Sequence, residues 1–121
     1  MSDALLAATL QAFVDKLRYE RQLSPHTLQA YQHDLQCFSD FLQTQAVREL
    51  KTIDEQHIRN FLAWRHRQGM QSKSLQRQLA AIRSFFNFLV AEARLSYNPA
   101  KGVQAPKAAR KRRSMLSRKA I

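Results

Sequence analysis

LSPHTLQAYQHDLQCFSDFL, Leu23–Leu42, carries both a start signal and a period. Ser24 suits an N-cap, whose hydroxyl accepts from the unpaired N–H groups of a first helical turn. Pro25 suits the first helical position, where its fixed φ fits and its missing N–H costs nothing. Leu28, Tyr31, Leu35, Phe38 and Leu42 then recur in steps of three and four, which is one buried helical stripe. The spacing predicts a helix from Pro25 to Gln45. The free N–H groups and dipole at such a start favour an anion such as phosphate; the same residues equally suit a helix that is simply well capped.

The period continues on both sides. Leu6, Leu10, Phe13, Val14 and Leu17 predict a helix from Asp3 to Arg21. Thr52 and Glu55 have the T-x-x-E spacing of a capping box and are expected to start a third helix. Its inner face is Ile58, Phe61 and Leu62, with Gly69 as a suitable residue just past its end. Leu75, Leu79, Ile82, Phe86 and Leu89 predict a fourth helix from Ser72 to Ala93. Asn98 and Pro99 repeat the cap-plus-proline signal and open a short turn that Gly102 ends. No stretch alternates as a strand would, and two Gly with three Pro leave little turn material for an all-β fold. The expectation is all-α: a compact four-helix bundle over residues 1–104 with a short C-terminal helical turn. Residues 105–121, APKAARKRRSMLSRKAI, have no apolar stripe and are expected to form a flexible basic tail.

Composition narrows the function classes. The 121 residues have room for one core, and 45% are apolar, seven of them Phe. The single cysteine, Cys37, excludes an internal disulfide, and the four scattered His show no ligand spacing, so neither metal nor cofactor is expected. No leader pattern and no apolar run near ~20 residues is present, which points to the cytoplasm.

The net charge is +11, and it is unevenly placed. Residues 1–64 hold six Lys/Arg against eight Asp/Glu, residues 65–100 six against one, and residues 101–121 eight against none. Such asymmetry calls for a polyanion or acidic partner: nucleic acid, an anionic membrane or an acidic protein. The tail lacks the amphipathic face that membrane insertion needs, so a membrane ranks last.

The fourth helix carries the sharpest polar pattern. Stepping 100° per residue from Leu75 puts Lys73, Ser84 and Arg77 at about 160°, 180° and 200°, opposite the core stripe. Ala80 and Ala81 flank this line, giving it a thin middle. Gln76, Arg83 and Asn87 edge it. Such a face can enter a major groove, where Arg pairs with guanine, Asn or Gln with adenine, and Lys and Ser with phosphate. The same composition also fits an ordinary solvated face. Phe88, at about 220°, does not suit a purely solvated face and is expected either to cover the first helix or to dock another domain. Arg65, Arg67 and Lys73 surround the turn before this helix and could brace a phosphate backbone, or merely keep the turn soluble. Trp64 is expected in the core. Catalysis finds no support: there is no Gly-rich phosphate loop and no H-E-x-x-H. Tyr19, Tyr31 and Tyr97 are the only phenols, and His26, His33, His57 and His66 stand in separate contexts.

ERQLSPHTLQAY, DLQCFSDFL, SLQRQLAAIRSFFNFLV and NPAKGVQAPKA, in this order, resemble the N-terminal core-binding domain of Xer-type tyrosine recombinases. The last fragment is nearer the XerC branch than the XerD branch. The resemblance covers about Leu10 to Arg110. It implies a SAM-like four-helix bundle forming one half of a clamp on duplex DNA, with the second and fourth helices at the major groove. It implies DNA contacts at Thr27, Lys73, Ser74, Arg77 and Arg83; the helical wheel, the basic turn and the tail charge add Gln76, Ser84, Asn87, Arg65, Arg67 and the tail residues Lys107, Arg110, Lys111, Arg112 and Arg113 as further candidates. Full-length members cut and rejoin DNA through a tyrosine, and pairs of them resolve chromosome dimers during cell division. Their catalytic set lies in a second domain. This chain instead ends in KRRSMLSRKAI, as a truncated, frameshifted or engineered product would, so no catalytic residue is carried over. The alternative is a protein-interaction module that binds a full-length recombinase or an acidic partner through Phe88 and the flank of the fourth helix.

Overall fold

The computed structural model describes residues 2–20, 23–47 and 49–106, with side chains from Ala8 onward. Leu6 and the tail candidates Lys107, Arg110, Lys111, Arg112 and Arg113 lie outside the described side chains. Four α-helices make up the described fold: α1 (Ser2–Glu20), α2 (Pro25–Thr44), α3 (Glu55–Arg67) and α4 (Ser72–Ala91), with a 3-10 turn at Leu50–Thr52. No strand occurs among the described residues. The all-α bundle expected from the apolar periods is therefore the fold.

Ser24 caps α2 as its sequence implies: its Oγ accepts from the Thr27 N–H at 3.2 Å, and Pro25 opens the helix. The start of α3 differs from expectation. Thr52 lies in the 3-10 turn, where its hydroxyl donates to the Glu49 carbonyl at 2.7 Å. The cap is Asp54, whose carboxylate accepts from the His57 N–H at 3.0 Å, while His57 Nδ1 accepts from the Asp54 N–H at 3.1 Å. An imidazole thus does the work of the usual Glu or Gln. The shift has a packing cause: Ile53 is buried, and its extended backbone carries it into the core before the helix begins.

α4 is the central element. It packs on α1, α2 and α3, and α2 also packs on α1 and α3. Its buried arc is consequently wider than one stripe. Gln78, Ala81 and Phe85 are buried together with Leu75, Leu79, Ile82, Phe86 and Leu89. Ala81 therefore belongs to the core and not to the thin middle of an open face. Phe38 meets Phe61 and Phe86 at ring distances of 5.2 and 6.2 Å, and Phe13 meets Phe85 at 5.6 Å. Trp64 is half-buried and stacks on Phe41 at 5.2 Å. Phe88 also finds its place: its ring lies 5.4 Å from that of Phe13, with Lys16 Nζ over its face. It covers α1.

After α4 the chain turns back along the helix. Asn98 Nδ2 donates to the Arg83 carbonyl at 3.1 Å and to Asn87 Oδ1 at 2.8 Å. Arg83 donates from Nε to the Ala100 carbonyl and from Nη2 to the Val103 carbonyl. Ala100 and Val103 are buried, and Ser72 Oγ donates to the Pro106 carbonyl at 3.2 Å. Residues 98–106 thus retrace α4 from its last turns to its first.

Candidate nucleic-acid interface

Three surfaces hold the described candidates: the open face of α4, the turn before it and the first turn of α2. Lys73, Gln76, Arg77 and Asn87 are exposed on α4, and Ser74, Ala80 and Ser84 are half-buried between them. The first turn of α4 has no side-chain cap at Gln71. A helix start whose first N–H groups have no side-chain cap, with Lys73 in the same turn, suits phosphate. Thr27 is half-buried at the start of α2, and its Oγ1 accepts from Ser24 Oγ at 3.0 Å, which leaves its own O–H able to donate.

Arg77 is not a free side chain on this face. Its Nε donates to Asp34 Oδ2 at 2.8 Å and its Nη2 to Asp34 Oδ1 at 2.9 Å. Asp34, on α2, is fully buried, whereas the Arg77 side chain is 43% exposed. The bidentate hydrogen bond holds the guanidinium's pKa above its ordinary value, although partial burial pulls the other way. Tyr31, one turn before Asp34, lies near enough to act on the same charge. A wheel drawn on α4 alone shows Arg77 as solvated; only the packing of α2 against α4 brings its partner to it.

The remaining candidates divide. Arg83, through Nε and Nη2, and Asn87, through its amide oxygen, bond residues 98–103, so they hold the C-terminal segment on α4. Arg65 is half-buried, donates to Gln68 Oε1 at 2.8 Å and lies over the Trp64 ring, which orders the turn between α3 and α4. Arg67 is exposed at that turn and, with Trp64 and Phe41, borders a surface cavity of about 440 Å³. Asp34 was absent from the sequence candidates; the signal available for it was a carboxylate one step off the apolar stripe of α2, inside an otherwise uncharged buried arc.

Residues 10–93 match the family model described as the phage integrase, N-terminal SAM-like domain. The chain belongs to that family. Tyrosine recombinase XerC of Pseudomonas syringae pv. syringae (strain B728a) is 42% identical over 102 residues, which are 84% of this chain and 34% of that protein. XerC of Xanthomonas campestris pv. campestris (strain B100) is 39% identical over 110 residues, 91% of this chain and 34% of the relative. XerC of Pseudomonas aeruginosa (strain LESB58) is 39% identical over 106 residues, 88% and 35% of the two chains. The chain spans about a third of the length of these curated relatives. No solved structure matches it. The SAM-like assignment agrees with the four helices, and its matched span begins at Leu10, the first buried apolar residue among the described side chains of α1, and ends just past α4. No helix among the described residues is long and apolar enough to cross a membrane, and no cluster of His, Cys, Asp or Glu among them could hold a metal ion.

Proposed function

We propose that this SAM-like domain is a duplex-DNA clamp of a Xer-type site-specific recombinase, binding through α4 and the start of α2. The observation that carries it is the open face of α4. It sets exposed Lys73, Gln76 and Arg77 around small residues on a helix whose other sides are in the core. Lys73, Ser74 and the uncapped N–H groups of the first turn take phosphates, Thr27 adds a phosphate contact from α2, and Arg77 and Gln76 reach base edges. Ser84 lines the path of the helix along the groove. Arg67 braces the backbone beyond the turn, and Arg65, Arg83 and Asn87 shape the surface from behind. Residues 107–121 add sequence-independent charge.

In this proposal the 121 residues bind and do not cut. The breakage and rejoining of DNA, chromosome dimer resolution during cell division, and a cytoplasmic location all belong to the recombinase system in which the domain serves. The rival proposal, docking of a partner protein through Phe88, is weakened because that half-buried ring already packs on Phe13 with the Lys16 ammonium over its face. Fluorescence anisotropy with a Xer-type recombination duplex, a scrambled duplex and heparin, at several salt concentrations, tests it. The expected result is duplex binding whose affinity falls linearly in logarithm with salt, with the recombination duplex preferred. Equal binding to heparin and both duplexes would reduce the domain to a polyanion binder, and no binding to any of them would remove the DNA role.

A further inference from the structure

The buried carboxylate of Asp34 is an unusual neighbour for a DNA-facing arginine, because it cancels the charge that a phosphate would attract. It also fixes geometry. A guanidinium has five N–H donors in one plane. Asp34 takes the Nε–H and one Nη2–H at 2.8 and 2.9 Å. The donors left over are the second Nη2–H and both Nη1–H groups, on the edges directed away from the carboxylate. Because Asp34 is fully buried and the Arg77 side chain is 43% exposed, those edges are the ones on the solvent side. Two parallel N–H donors on one planar edge are what the O6 and N7 acceptors of guanine accept in the major groove. The pair as a whole is neutral, so it offers little to a phosphate and much to an uncharged acceptor edge. Holding the long side chain in place also removes part of the ordering cost that a free arginine would meet on binding.

Building on the DNA-clamp reading, we propose that Asp34 is a positioning residue that converts Arg77 from a phosphate clamp into a guanine reader. Lys73, one turn earlier on α4 and exposed, then holds the backbone. The division of work is between a paired cation that reads and an unpaired one that grips.

The test is selection from a randomised duplex library with the full chain, followed by anisotropy on the enriched duplex and on a scrambled one. Wild type should enrich a site with a guanine preferred at one position by about tenfold or more. Asp34→Asn keeps the volume and one oxygen acceptor but removes the charge. It should lose most of that guanine preference while its affinity for scrambled duplex holds or rises, with a salt slope steeper by up to about one unit. The released guanidinium then serves as a phosphate contact. A purely structural role would lower affinity for both duplexes together, and that result overturns the proposal, as does a guanine preference unchanged in Asp34→Asn. Should Asp34→Asn fail to fold, Arg77→Lys replaces it: the ammonium still pairs with Asp34 but has no fork. Loss of the guanine preference at an unchanged salt slope supports the reader role, and a retained preference overturns it. Wild type that binds duplex without preferring any guanine defeats this proposal alone; wild type that binds no duplex defeats the clamp reading as well.

Discussion

Ser72 and Pro106 are 34 positions apart, yet the Ser72 hydroxyl donates to the Pro106 carbonyl at 3.2 Å. The bond closes the C-terminal segment onto the first turn of α4. Pro106, the last described residue, is thereby held at the first turn of α4, whose N-cap residue Gln71 makes no side-chain capping bond.

The composition of the C-terminal residues sets the expectation for them. Residues 101–121 hold eight basic residues and no acidic one. Charge of this kind strengthens binding to any duplex and carries no base preference. Removing residues 110–121 should weaken binding to the recombination and scrambled duplexes by similar factors and flatten both salt slopes. Titration of the two duplexes at matched salt measures this, and a truncation that mainly erased discrimination would show that the tail reads sequence.

Arg77 and Lys73 should part company in stability. From the helical wheel alone, neither substitution would matter to folding. The structure changes the expectation for Arg77: Arg77→Ala leaves the fully buried Asp34 carboxylate without its guanidinium. Breaking a buried pair from one side costs ~3–5 kcal/mol, and solvent at the half-exposed guanidinium reduces this to about 2 kcal/mol. For a domain of this size a loss of that order lowers Tm by roughly 6–10 °C. Lys73→Ala, at an exposed position, should stay within ~0.5 kcal/mol of wild type. Thermal melts of the two variants side by side decide the matter, and equal melting temperatures would mean that the Asp34–Arg77 pair contributes nothing net.

How much of this was legible beforehand follows from the range of each signal. The apolar steps from Leu28 to Leu42 and from Leu75 to Leu89 are local, and they located α2 and α4 to within two residues. The D-x-x-H box at Asp54 and His57 was local too, but the more familiar T-x-x-E two residues earlier masked it. Asp34 and Arg77 are 43 positions apart, and Arg83 reaches 17 and 20 positions to Ala100 and Val103. A wheel on one helix contains none of those partners. It showed which way Arg77 and Arg83 point without showing what already held their donors, and for the same reason it left Phe88 between covering the first helix and docking another domain, which the Phe13 contact decides for the first helix.

The chemistry of the family should be absent from these 121 residues when they act alone. Tyr19 and Tyr97 are exposed and Tyr31 is half-buried against the core; among the described residues none sits in a cluster of basic side chains able to stabilise a transferring phosphoryl group. Incubation with a nicked suicide duplex carrying a recombination site should give no covalent protein–DNA adduct on a denaturing gel. An adduct would require a nucleophile among the three phenols and a revised site.

The three helix ends offer a measurement free of DNA. α2, α3 and α4 all close with the same Schellman pattern: Val47 N–H to the Leu42 carbonyl at 3.0 Å, Met70 to Arg65 at 3.1 Å and Arg94 to Leu89 at 2.8 Å. Each needs a left-handed residue just before that donor. Gly69 supplies it with φ 96°, but Ala46 and Ala93 are both held at φ 59°. An L-residue there costs roughly 1–2 kcal/mol relative to glycine, partly offset by the greater freedom glycine gives the unfolded chain, about 0.4–1 kcal/mol. Ala46→Gly and Ala93→Gly should therefore each stabilise the domain by about 0.5–1 kcal/mol. Gly69→Ala should cost about as much, and purely through φ, since a Cβ at that position would meet no atom within 4 Å. Urea titration with a common m-value reads all three. The assignment of these caps fails if both alanine-to-glycine variants lose stability, because a glycine placed in a right-handed or extended backbone only adds entropy to the unfolded state.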